Sequence, residues 1–264
     1  MKYLVKSIAI LAITVLSVMR VHAQNARFVS EGSIEFEKKV NMYAKIKARI
    51  SKDNESFMQQ AFDQYKRTQP QFKTFKSKLN FSKTQSLFTP IAEDDDAKGS
   101  MFFGEDPSVN MKNTISTDFN SGMSSALKKI FEEQYLVKDS LRRINWKITD
   151  ETREIAGYEC RRANALVMDS IYVVAFYCDQ IPVSGGPESF TGLPGMILGL
   201  ALPHENTTWF ATKVNDAAVT EKDLALTLPK KVKTVDNKGL KAALDMGMKD
   251  WGEYGKPIVK AAML

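Results

Sequence analysis

Residues 185–200 of the chain read GGPESFTGLPGMILGL, and this stretch shapes the fold. Its prolines fix φ and favour an extended residue before them, while its glycines allow backbone conformations that other residues avoid. Pro194 and Gly195 suit the central positions of a type II turn, the second of which needs a positive φ. That turn would start a buried strand over residues 196–202, with Gly192 and Gly199 permitting close backbone approach. The stretch therefore predicts a particular backbone conformation and does not indicate a chemical reaction.

Alternating apolar and polar side chains predict strands on both sides of this stretch. The predicted strand regions are residues 32–40, 72–88, 134–138, 144–148, 158–167, 171–178, 196–202 and 207–214. Met168-Asp169-Ser170 separates two of them and predicts a hairpin. Apolar side chains at helical spacing predict helices over residues 54–67 and 240–248.

These elements predict a mainly β fold of the β-rich α+β kind. We expect a curled antiparallel sheet or a bowl-like half-barrel, with one helix after the first strand region and one near the C-terminus. Roughly 240 residues remain after the expected processing, which is enough for one large domain with a sizeable core. We therefore expect a single domain over residues 24–264, in which residues 216–264 form a C-terminal helical extension.

The N-terminal residues have the pattern of a secretory signal. Lys2 and Lys6 precede an apolar run over residues 7–18, and Val21-His22-Ala23 fits a signal-peptidase site. We predict cleavage after Ala23 and an exported protein that is periplasmic, peripheral to the outer membrane or secreted. The apolar run is short for a spanning helix, which needs about 20 residues, although an uncleaved anchor is the alternative.

The charge balance argues against nucleic acid as a partner. The full chain has 37 Lys and Arg residues against 31 Asp and Glu residues. Removing residues 1–23 takes away Lys2, Lys6 and Arg20, and leaves 34 basic against 31 acidic residues. So small an excess is an ordinary surface balance and not the footprint of a nucleic-acid binder.

Familiar catalytic motifs are missing from the sequence. After signal cleavage His204 is the single histidine, which excludes a multi-histidine zinc site, and no CxxC, HExxH, GxSxG or P-loop pattern occurs. Gly122-Met123-Ser124-Ser125-Ala126 approaches a nucleophile elbow but lacks the final glycine. We therefore expect no catalytic residue of a known class and no cofactor.

Cys160 and Cys178 are the only cysteines and lie on the two arms of the predicted hairpin. If Asp169 is the centre of the turn, the two cysteines lie directly opposite each other. Cα atoms of opposed residues in an antiparallel pair are about 4.5 to 5.5 Å apart, which permits a disulfide. In an exported protein a disulfide is the structural interpretation. The alternative is a pair of reduced thiols that hold a soft metal such as Cu(I).

Other residues suggest a metal more weakly than the thiol pair does. Asp94, Asp96, Gly99 and Glu105 fall at positions 1, 3, 6 and 12 of a calcium-loop template, but Lys98 occupies position 5, where an oxygen is expected. A solvated acidic loop is the alternative. His204 is a candidate ligand or base in a predicted loop, or else an ordinary surface histidine. The chain's methionines could bind copper, but methionine more often fills gaps in a core.

The motif and its neighbours together resemble a known family. The segments that carry the resemblance, in order, are Trp146, residues 155–163, residues 175–177, Ile181-Pro182, Gly186-Pro187, Phe190 and residues 192–198. This order and spacing resemble the GLPGLI family of exported Bacteroidetes proteins. The resemblance is specific over residues 146–200 and looser over residues 32–36 and 79–87. The chain departs from the family pattern at Met196, where the family name has leucine, and at Phe176, where many relatives carry tryptophan.

The resemblance implies export and a β-rich envelope domain, similar to the bowl-shaped N-terminal module of at least one bacterial glycan-releasing amidase. It implies no catalytic residues, because none are established for the family. The motif residues that it offers as a folding element or a possible binding surface are Gly186, Pro187, Glu188, Phe190, Gly192, Leu193, Pro194 and Gly195.

Three functions follow as hypotheses from the sequence. The first, which we favour, is a non-enzymatic binding or accessory module for a peptide, a glycan or an apolar ligand on the concave face of a curled sheet. Aromatic side chains such as Trp146, Phe176 and Trp209 could line that face, or they could form the core. The second is an envelope protein that handles copper or calcium. The third is an undescribed hydrolase that uses Glu188 with a second acid.

Overall fold

The computed structural model of the chain describes residues 28–92 and 108–264. The fold is mainly β, as predicted, with one open, curled sheet of 12 strands and few helices. The strand order across the sheet is β12-β6-β5-β4-β3-β2-β1-β11-β10-β9-β8-β7. All neighbouring strands are antiparallel except β12, which pairs parallel to β6. The predicted signal peptide and the acidic loop with Asp94, Asp96 and Glu105 lie outside the described residues.

The strands are β1 (Gly32–Asn41), β2 (Phe72–Phe81), β3 (Gln85–Pro90), β4 (Thr114–Asp118), β5 (Met123–Ile130), β6 (Glu133–Ser140), β7 (Lys147–Ile155), β8 (Tyr158–Val167), β9 (Ile171–Cys178), β10 (Met196–Leu202), β11 (Thr207–Asn215) and β12 (Lys233–Val235). The helices are α1 (Met42–Lys47), α2 (Glu55–Thr68), α3 (Glu221–Leu224), α4 (Asn237–Gly247) and α5 (Gly255–Met263). Turns of 3-10 helix cover Pro203–Glu205 and Lys249–Tyr254.

The two predicted helices are confirmed as α2 and α4, whereas α1, α3 and α5 were not predicted. Helix α1 continues directly from β1 and is only six residues long, which is too short for a helical period to stand out. The side chain of Asn41 caps it by accepting a hydrogen bond from the N–H of Ala44 at 3.1 Å. Helix α5 is predominantly apolar, and Ile258, Ala262 and Met263 pack into the main core.

The predicted hairpin is confirmed as β8 and β9. Val167 pairs with Ile171 and Ala163 with Ala175, so Asp169 is the centre of the register, as predicted. The turn forces a positive φ on Met168 (51°) and Asp169 (58°), which side-chain-bearing residues adopt at some energetic cost.

Strands β4, β5 and β12 were not predicted, and only the first residues of β7 were predicted as strand. Strands β4 and β5 alternate in the usual way, but Ser, Thr and Lys fill many of their positions and weaken the apolar signal. The single predicted region over residues 72–88 is two strands, β2 and β3, which turn where the N–H of Ser82 donates to the carbonyl of Gln85. Residues 144–146 of the predicted 144–148 strand lie before β7, which begins at Lys147.

The predicted type II turn at Pro194-Gly195 is wrong. Gly195 is not among the residues with positive φ, and Gly192 has this conformation instead, with a φ of 95°. Gly195 is needed for space, because a Cβ built on it would lie 2.1 Å from the carbonyl oxygen of Cys178. The glycine therefore lets the start of β10 press against the end of β9.

Most buried apolar side chains form one main core, on the inner face of the sheet and around β8–β10. Residues from β1 to β11 join it, and so do Leu240 and Leu244 of α4 and Ile258 and Ala262 of α5. The C-terminal residues 216–264 thus add packed helices as well as strand β12. A smaller second cluster forms around α1 and α2 from Val40, Met42, Ile46, Met58, Phe62, Tyr65 and Val109.

The two edge strands of the sheet are unlike its centre. Strand β12 has only three residues. Strand β7 is largely exposed, carries charged side chains at Asp150, Glu151, Arg153 and Glu154, and has an irregular register against β8 between Ile148 and Thr152. Within residues 28–92 and 108–264, no helix is both long and apolar enough to cross a membrane.

Candidate functional site

Two lysines stand on the inner face of the sheet at positions where their strand neighbours are apolar. In β1, Lys38 follows Ile34 and Phe36 at alternate positions, and in β5, Lys128 lies between Ala126 and Ile130. Successive side chains of a strand point to opposite faces, so both lysines face inward. Lys128 is only 4% exposed, whereas Lys38 is half-buried.

The inner face holds a large open cavity, the concave pocket, with a volume of about 1030 Å³. Strands β4, β5 and β6 form its floor, residues 141–144 and part of the motif form its walls, and Met263 and Leu264 reach into it. Hydroxyl groups are the commonest polar groups in the lining. They belong to Thr117, Ser121, Ser124, Ser140, Ser184, Ser189 and Thr191.

Three cationic side chains line the concave pocket, namely Lys128, Arg142 and Arg143. Burial lowers the pKa of Lys128 to about 8, although Glu188 opposes this shift. Burial also lowers the pKa of Arg142. Asp139 shares the lining, and its carboxylate accepts hydrogen bonds from the N–H groups of Asn237 and Ser140 at 3.1 and 2.8 Å. These hydrogen bonds lower the pKa of Asp139, so it stays ionised and holds the start of α4.

The pocket side chains also bind the last main-chain carbonyl oxygens of the chain. Lys128 donates to the carbonyl of Ala262 at 2.6 Å, Arg142 donates through Nη2 to that of Met263, and Ser189 donates to that of Leu264. Carbonyls in the last turn of a helix lack partners within the helix, and basic side chains commonly satisfy them. The pocket thus already holds three oxygen acceptors in a row.

A second group of polar side chains lies beside the pocket, and we call Lys38, Ser77, Asn113 and Glu188 the polar cluster. Asn113 donates through Nδ2 to Glu188 Oε2 at 2.9 Å. Two atoms of the cluster, Ser77 Oγ and Asn113 Oδ1, are buried without a hydrogen-bond partner within the described part of the chain. All four residues line a cavity of about 30 Å³, which is enough room for a water molecule.

Lys38 is held in the polar cluster by aromatic rings and by charge. Its cross-strand partners are Trp209 and Phe75, and its ammonium lies 5.1 and 5.8 Å from the centres of their rings. Such contacts stabilise a partly desolvated cation. Burial lowers the pKa of Lys38, and the Glu188 carboxylate acts in the opposite direction. Glu188 therefore serves both inward lysines as a counter-charge.

The motif residues 185–195 cross the inner side of the sheet and are fixed there by hydrogen bonds. Ile197 donates its N–H to the carbonyl of Gly185 at 2.8 Å, and the indole of Trp146 donates to that of Thr191 at 2.9 Å. The N–H of Gly192 donates to Ser184 Oγ at 3.0 Å. Glu188 has a φ of 54°, a strained value for a residue with a side chain.

The eight predicted motif residues have different positions. Gly192 lines the concave pocket, while Glu188 and Phe190 line a separate cavity of about 40 Å³. Pro194 is exposed. Gly186, Pro187, Leu193 and Gly195 are buried. A Cβ on Gly186 would lie 2.8 Å from both Ile197 Cβ and the carbonyl oxygen of Phe190, so the space there is filled.

Cys160 and Cys178 are both fully buried free thiols. Continuing the register of β8 and β9 by one pair from Arg161 and Tyr177 places them opposite each other, as predicted. The hydrogen bond between the two thiols, together with burial, raises the pKa of Cys160. Their proximity is compatible with a disulfide, which stays a prediction.

His204 is exposed in the 3-10 turn between β10 and β11. Among the residues that the structure describes, no group of three or more His, Cys, Asp or Glu side chains could hold a metal ion. Of the aromatic rings considered as pocket walls, Phe176 and Trp209 belong to the main core, and Trp146 packs against it. Phe119 is the aromatic side chain that lines the concave pocket within the described ranges.

The three cations of the pocket and most of its hydroxyl groups were not predicted from the sequence. The sequence does indicate Lys128, because it occupies a position where the alternation of β5 calls for an apolar side chain. A lysine at such a position must be buried or paired. The sequence does not indicate Arg142 and Arg143, because they lie in a connecting segment where charged residues are common.

A family model described as "Protein of unknown function (Porph_ging)" matches residues 166–199 of the chain. These residues contain β9, the motif and the start of β10. They include Gly192-Leu193-Pro194-Gly195, on which the resemblance to the GLPGLI family rests, and that resemblance stays a prediction. No curated protein matches the chain.

The chain is similar in structure to PNGF-II, which has been solved in two crystal forms. In the P21 form the sequence identity is 16% and the TM-score 0.49, and the match covers 81% of this chain and 33% of that chain. In the C2 form the sequence identity is 15% and the TM-score 0.48, and the match covers 88% of this chain and 33% of that chain. The chain thus spans one third of the length of PNGF-II. An uncharacterized conserved protein from Thermus thermophilus matches with 6% identity, a TM-score of 0.39 and coverage of 80% and 92%.

Proposed function

We propose that the protein is an exported, non-enzymatic binding or accessory module of the cell envelope, and that a polar ligand occupies its concave pocket. The observation that carries this proposal is the size and lining of the pocket, about 1030 Å³ with hydroxyl and cationic side chains. A volume of this size accommodates an organic ligand of several rings or residues. Hydroxyl groups both donate and accept hydrogen bonds, so they suit a ligand with many polar atoms.

The position of the pocket favours a saccharide over an extended peptide. Strands β4 and β5, which form much of the floor, each have a paired strand on both sides, so their main-chain groups are engaged in the sheet. A peptide could not add itself as a further strand there. Recognition must come from side chains on the sheet face, which suits the hydroxyl groups of a sugar. An apolar ligand would cover the exposed charge of Arg143 and the hydroxyl groups of this lining without offering them hydrogen bonds.

The geometry supports binding better than hydrolysis. Glu188 and Glu205 are two carboxylates that line one cavity, but its volume is about 40 Å³, too small for a sugar ring. Glu205 is also bound to Lys260. Glu188 is engaged with Asn113. Neither carboxylate lines the concave pocket, so the space that fits a ligand and these two acids are separate.

The test is to fill the pocket from its floor without disturbing the sheet. Ser124 and Ser125 are neighbours in β5 whose side chains point to opposite faces, and Ser124 lines the pocket. We expect Ser124→Phe to abolish binding and Ser125→Phe to preserve it. Saturation-transfer NMR with a panel of neutral and acidic oligosaccharides and tripeptides, each at millimolar concentration, measures the effect. Melting curves of both variants show that the fold is retained.

Two results would overturn the proposal. One is the absence of saturation transfer to any saccharide in the panel with the wild-type protein. The other is equal binding by the wild-type protein and Ser124→Phe, because a ligand that ignores the filled pocket must bind elsewhere.

A further inference from the structure

We propose that the concave pocket selects a saccharide that carries an oxyanion, and that Arg142 and Arg143 bind this group. This inference rests on the proposed function and adds the chemical class of the ligand. Among the described residues, three cationic side chains and one carboxylate side chain line the pocket. The carboxylate of Asp139 accepts from the N–H of Ser140 at the end of β6 and from that of Asn237 at the start of α4, and in the described part of the chain it forms no ion pair with either arginine.

Arg142 provides the sharpest sign of a missing acceptor. Its Nη2 donates to the carbonyl of Met263. Its Nη1 is one of three buried side-chain atoms without a hydrogen-bond partner in the described part of the chain. A buried, charged donor that lacks an acceptor is costly, and native proteins rarely retain one. Nη1 is closed to solvent, so an oxyanion meets it only after the guanidinium, which belongs to a residue that lines the pocket, turns outward. Guanidinium groups bind carboxylate, sulfate and phosphate oxygens.

The neighbouring side chains extend the same chemistry. Arg143 lines the pocket and is exposed, so its charge can meet an incoming anion first. Lys128 holds a main-chain oxygen at 2.6 Å, which shows that the floor already binds an oxygen acceptor. Ser189 and Thr191 supply further hydroxyl groups to the lining. Together these groups fit one charged oxygen group with sugar hydroxyls beside it.

Three probes separate the sources of the oxyanion, namely trigalacturonate, which has carboxylates, a sulfated disaccharide, and the uncharged maltotriose. Isothermal titration of the whole protein at low ionic strength measures each affinity. We expect at least one charged probe to bind at least tenfold more tightly than maltotriose. We also expect its affinity to fall as salt is added, because an exposed arginine is screened. The preferred charged probe shows whether the natural group is a carboxylate or a sulfate.

Matched arginine variants locate the charge. Arg143→Ala should weaken binding of the preferred charged probe by about tenfold, as expected for a charged hydrogen bond. Arg161→Ala is the control, because Arg161 is exposed on β8 and lines no part of the pocket. Arg142→Gln should weaken binding as well, and its melting temperature reports any loss of packing against Met263.

The outcomes distinguish this inference from the proposed function. If maltotriose binds as tightly as both charged probes, the pocket is a saccharide site but the oxyanion class is wrong. If Arg143→Ala and Arg142→Gln both bind a charged probe like the wild-type protein, the arginines have only a structural role and the inference fails. If none of the three probes binds, the inference fails, and the proposed function is decided separately by the wider panel of oligosaccharides and tripeptides.

Discussion

Lys128 is a charged residue that is buried next to apolar neighbours. Its strand neighbours Ala126 and Ile130 belong to the main core, and its own side chain is almost completely buried. Burying an ammonium group costs free energy unless partners compensate for it. Glu188 and the carbonyl of Ala262 supply part of that compensation. A residue kept at such a cost is a candidate for function.

The lowered pKa of Lys128 predicts a pH dependence of stability. The pKa is about 8 in the folded protein against an ordinary value of 10.5, so the unfolded chain binds more protons between these values. Stability therefore rises as the pH increases from about 8 to about 10.5, and below pH 8 the contribution is constant. The Lys128→Met variant lacks this contribution. Urea unfolding at pH 7 and pH 10 should show the wild-type protein gaining stability relative to Lys128→Met.

The matched control for this prediction is Lys129→Met, the next residue of β5, whose side chain is exposed on the other face. Its stability relative to the wild-type protein should not change over the same pH range. A wild-type protein that loses stability relative to Lys128→Met as the pH rises would contradict the assigned direction.

Cys160 and Cys178 predict a disulfide at the end of the hairpin. Under oxidising conditions we expect the intact mass to fall by two hydrogens and both thiols to become unreactive in the unfolded protein. Closing a loop of this size stabilises a protein by roughly 3 kcal/mol, mostly by restricting the unfolded chain. Reduction should therefore lower the free energy of unfolding measured in urea by about that amount.

The Cys178→Ala variant separates the bond from the packing of its sulfur atoms. It should be equally stable with and without reductant, whereas the wild-type protein should differ between the two conditions. Two titratable thiols in the unfolded protein after exposure to oxidised glutathione would rule out the disulfide and leave the free pair.

At the scale of elements, the start of β10 shows why Gly195 cannot carry a side chain. The glycine does not supply a positive φ, and the carbonyl of Cys178 occupies the space where a Cβ would stand. Strand β10 is buried on both faces over most of its length, so it cannot shift outward to make room. The motif glycine thus allows β10 to pack closely against β9.

The Gly195→Ala variant should be destabilised by about 3 kcal/mol, the upper range for overpacking a core. Gly247→Ala, in α4, is the control, because a Cβ there would meet nothing within 4 Å. That variant should be neutral or slightly stabilised, as alanine favours a helix. Chemical unfolding of both variants measures the difference. A Gly195→Ala variant as stable as the wild-type protein would show that β10 can move.

Sequence patterns predicted some elements better than others for physical reasons. Strands β8 and β9 were predicted with their register because two strand-like runs flank one short turn, and the centre of that turn fixes which residues face each other. Strands β4 and β5 were not, because the concave pocket replaces apolar inward positions with Thr117, Ser124 and Lys128. The polar side chains that line the site are therefore also the reason why its strands lack a clear apolar–polar alternation.

The candidate site was less predictable than the fold because it is assembled from distant parts of the chain. Its lining comes from β4, β5 and β6, from the segment after β6, from the motif and from the end of α5. No local spacing in the sequence connects Arg142 with Ser189. Only the curl of the sheet and the packing of the C-terminal helices bring them to one cavity.

At the scale of the whole molecule, the two hydrophobic clusters predict unequal local stability. The second cluster around α1 and α2 contains far fewer buried side chains than the main core. Regions with few buried contacts open at lower free energy than the core does. We expect the protected amides of α1 and α2 to exchange at least about tenfold faster than those of β9 and β10. Hydrogen exchange followed by mass spectrometry measures this difference, and equal rates would mean that both clusters unfold as one unit.

The contrast between the edges and the centre of the sheet affects how the protein behaves at high concentration. An open sheet ends in two rows of unpaired main-chain groups, which can recruit strands from other molecules and begin aggregation. Here one edge is the three-residue β12, and the other is β7 with its charged side chains and irregular register. Short, charged and irregular edges are poor templates for a foreign strand. The molecule can therefore keep a wide, open concave face without inviting self-association along its borders.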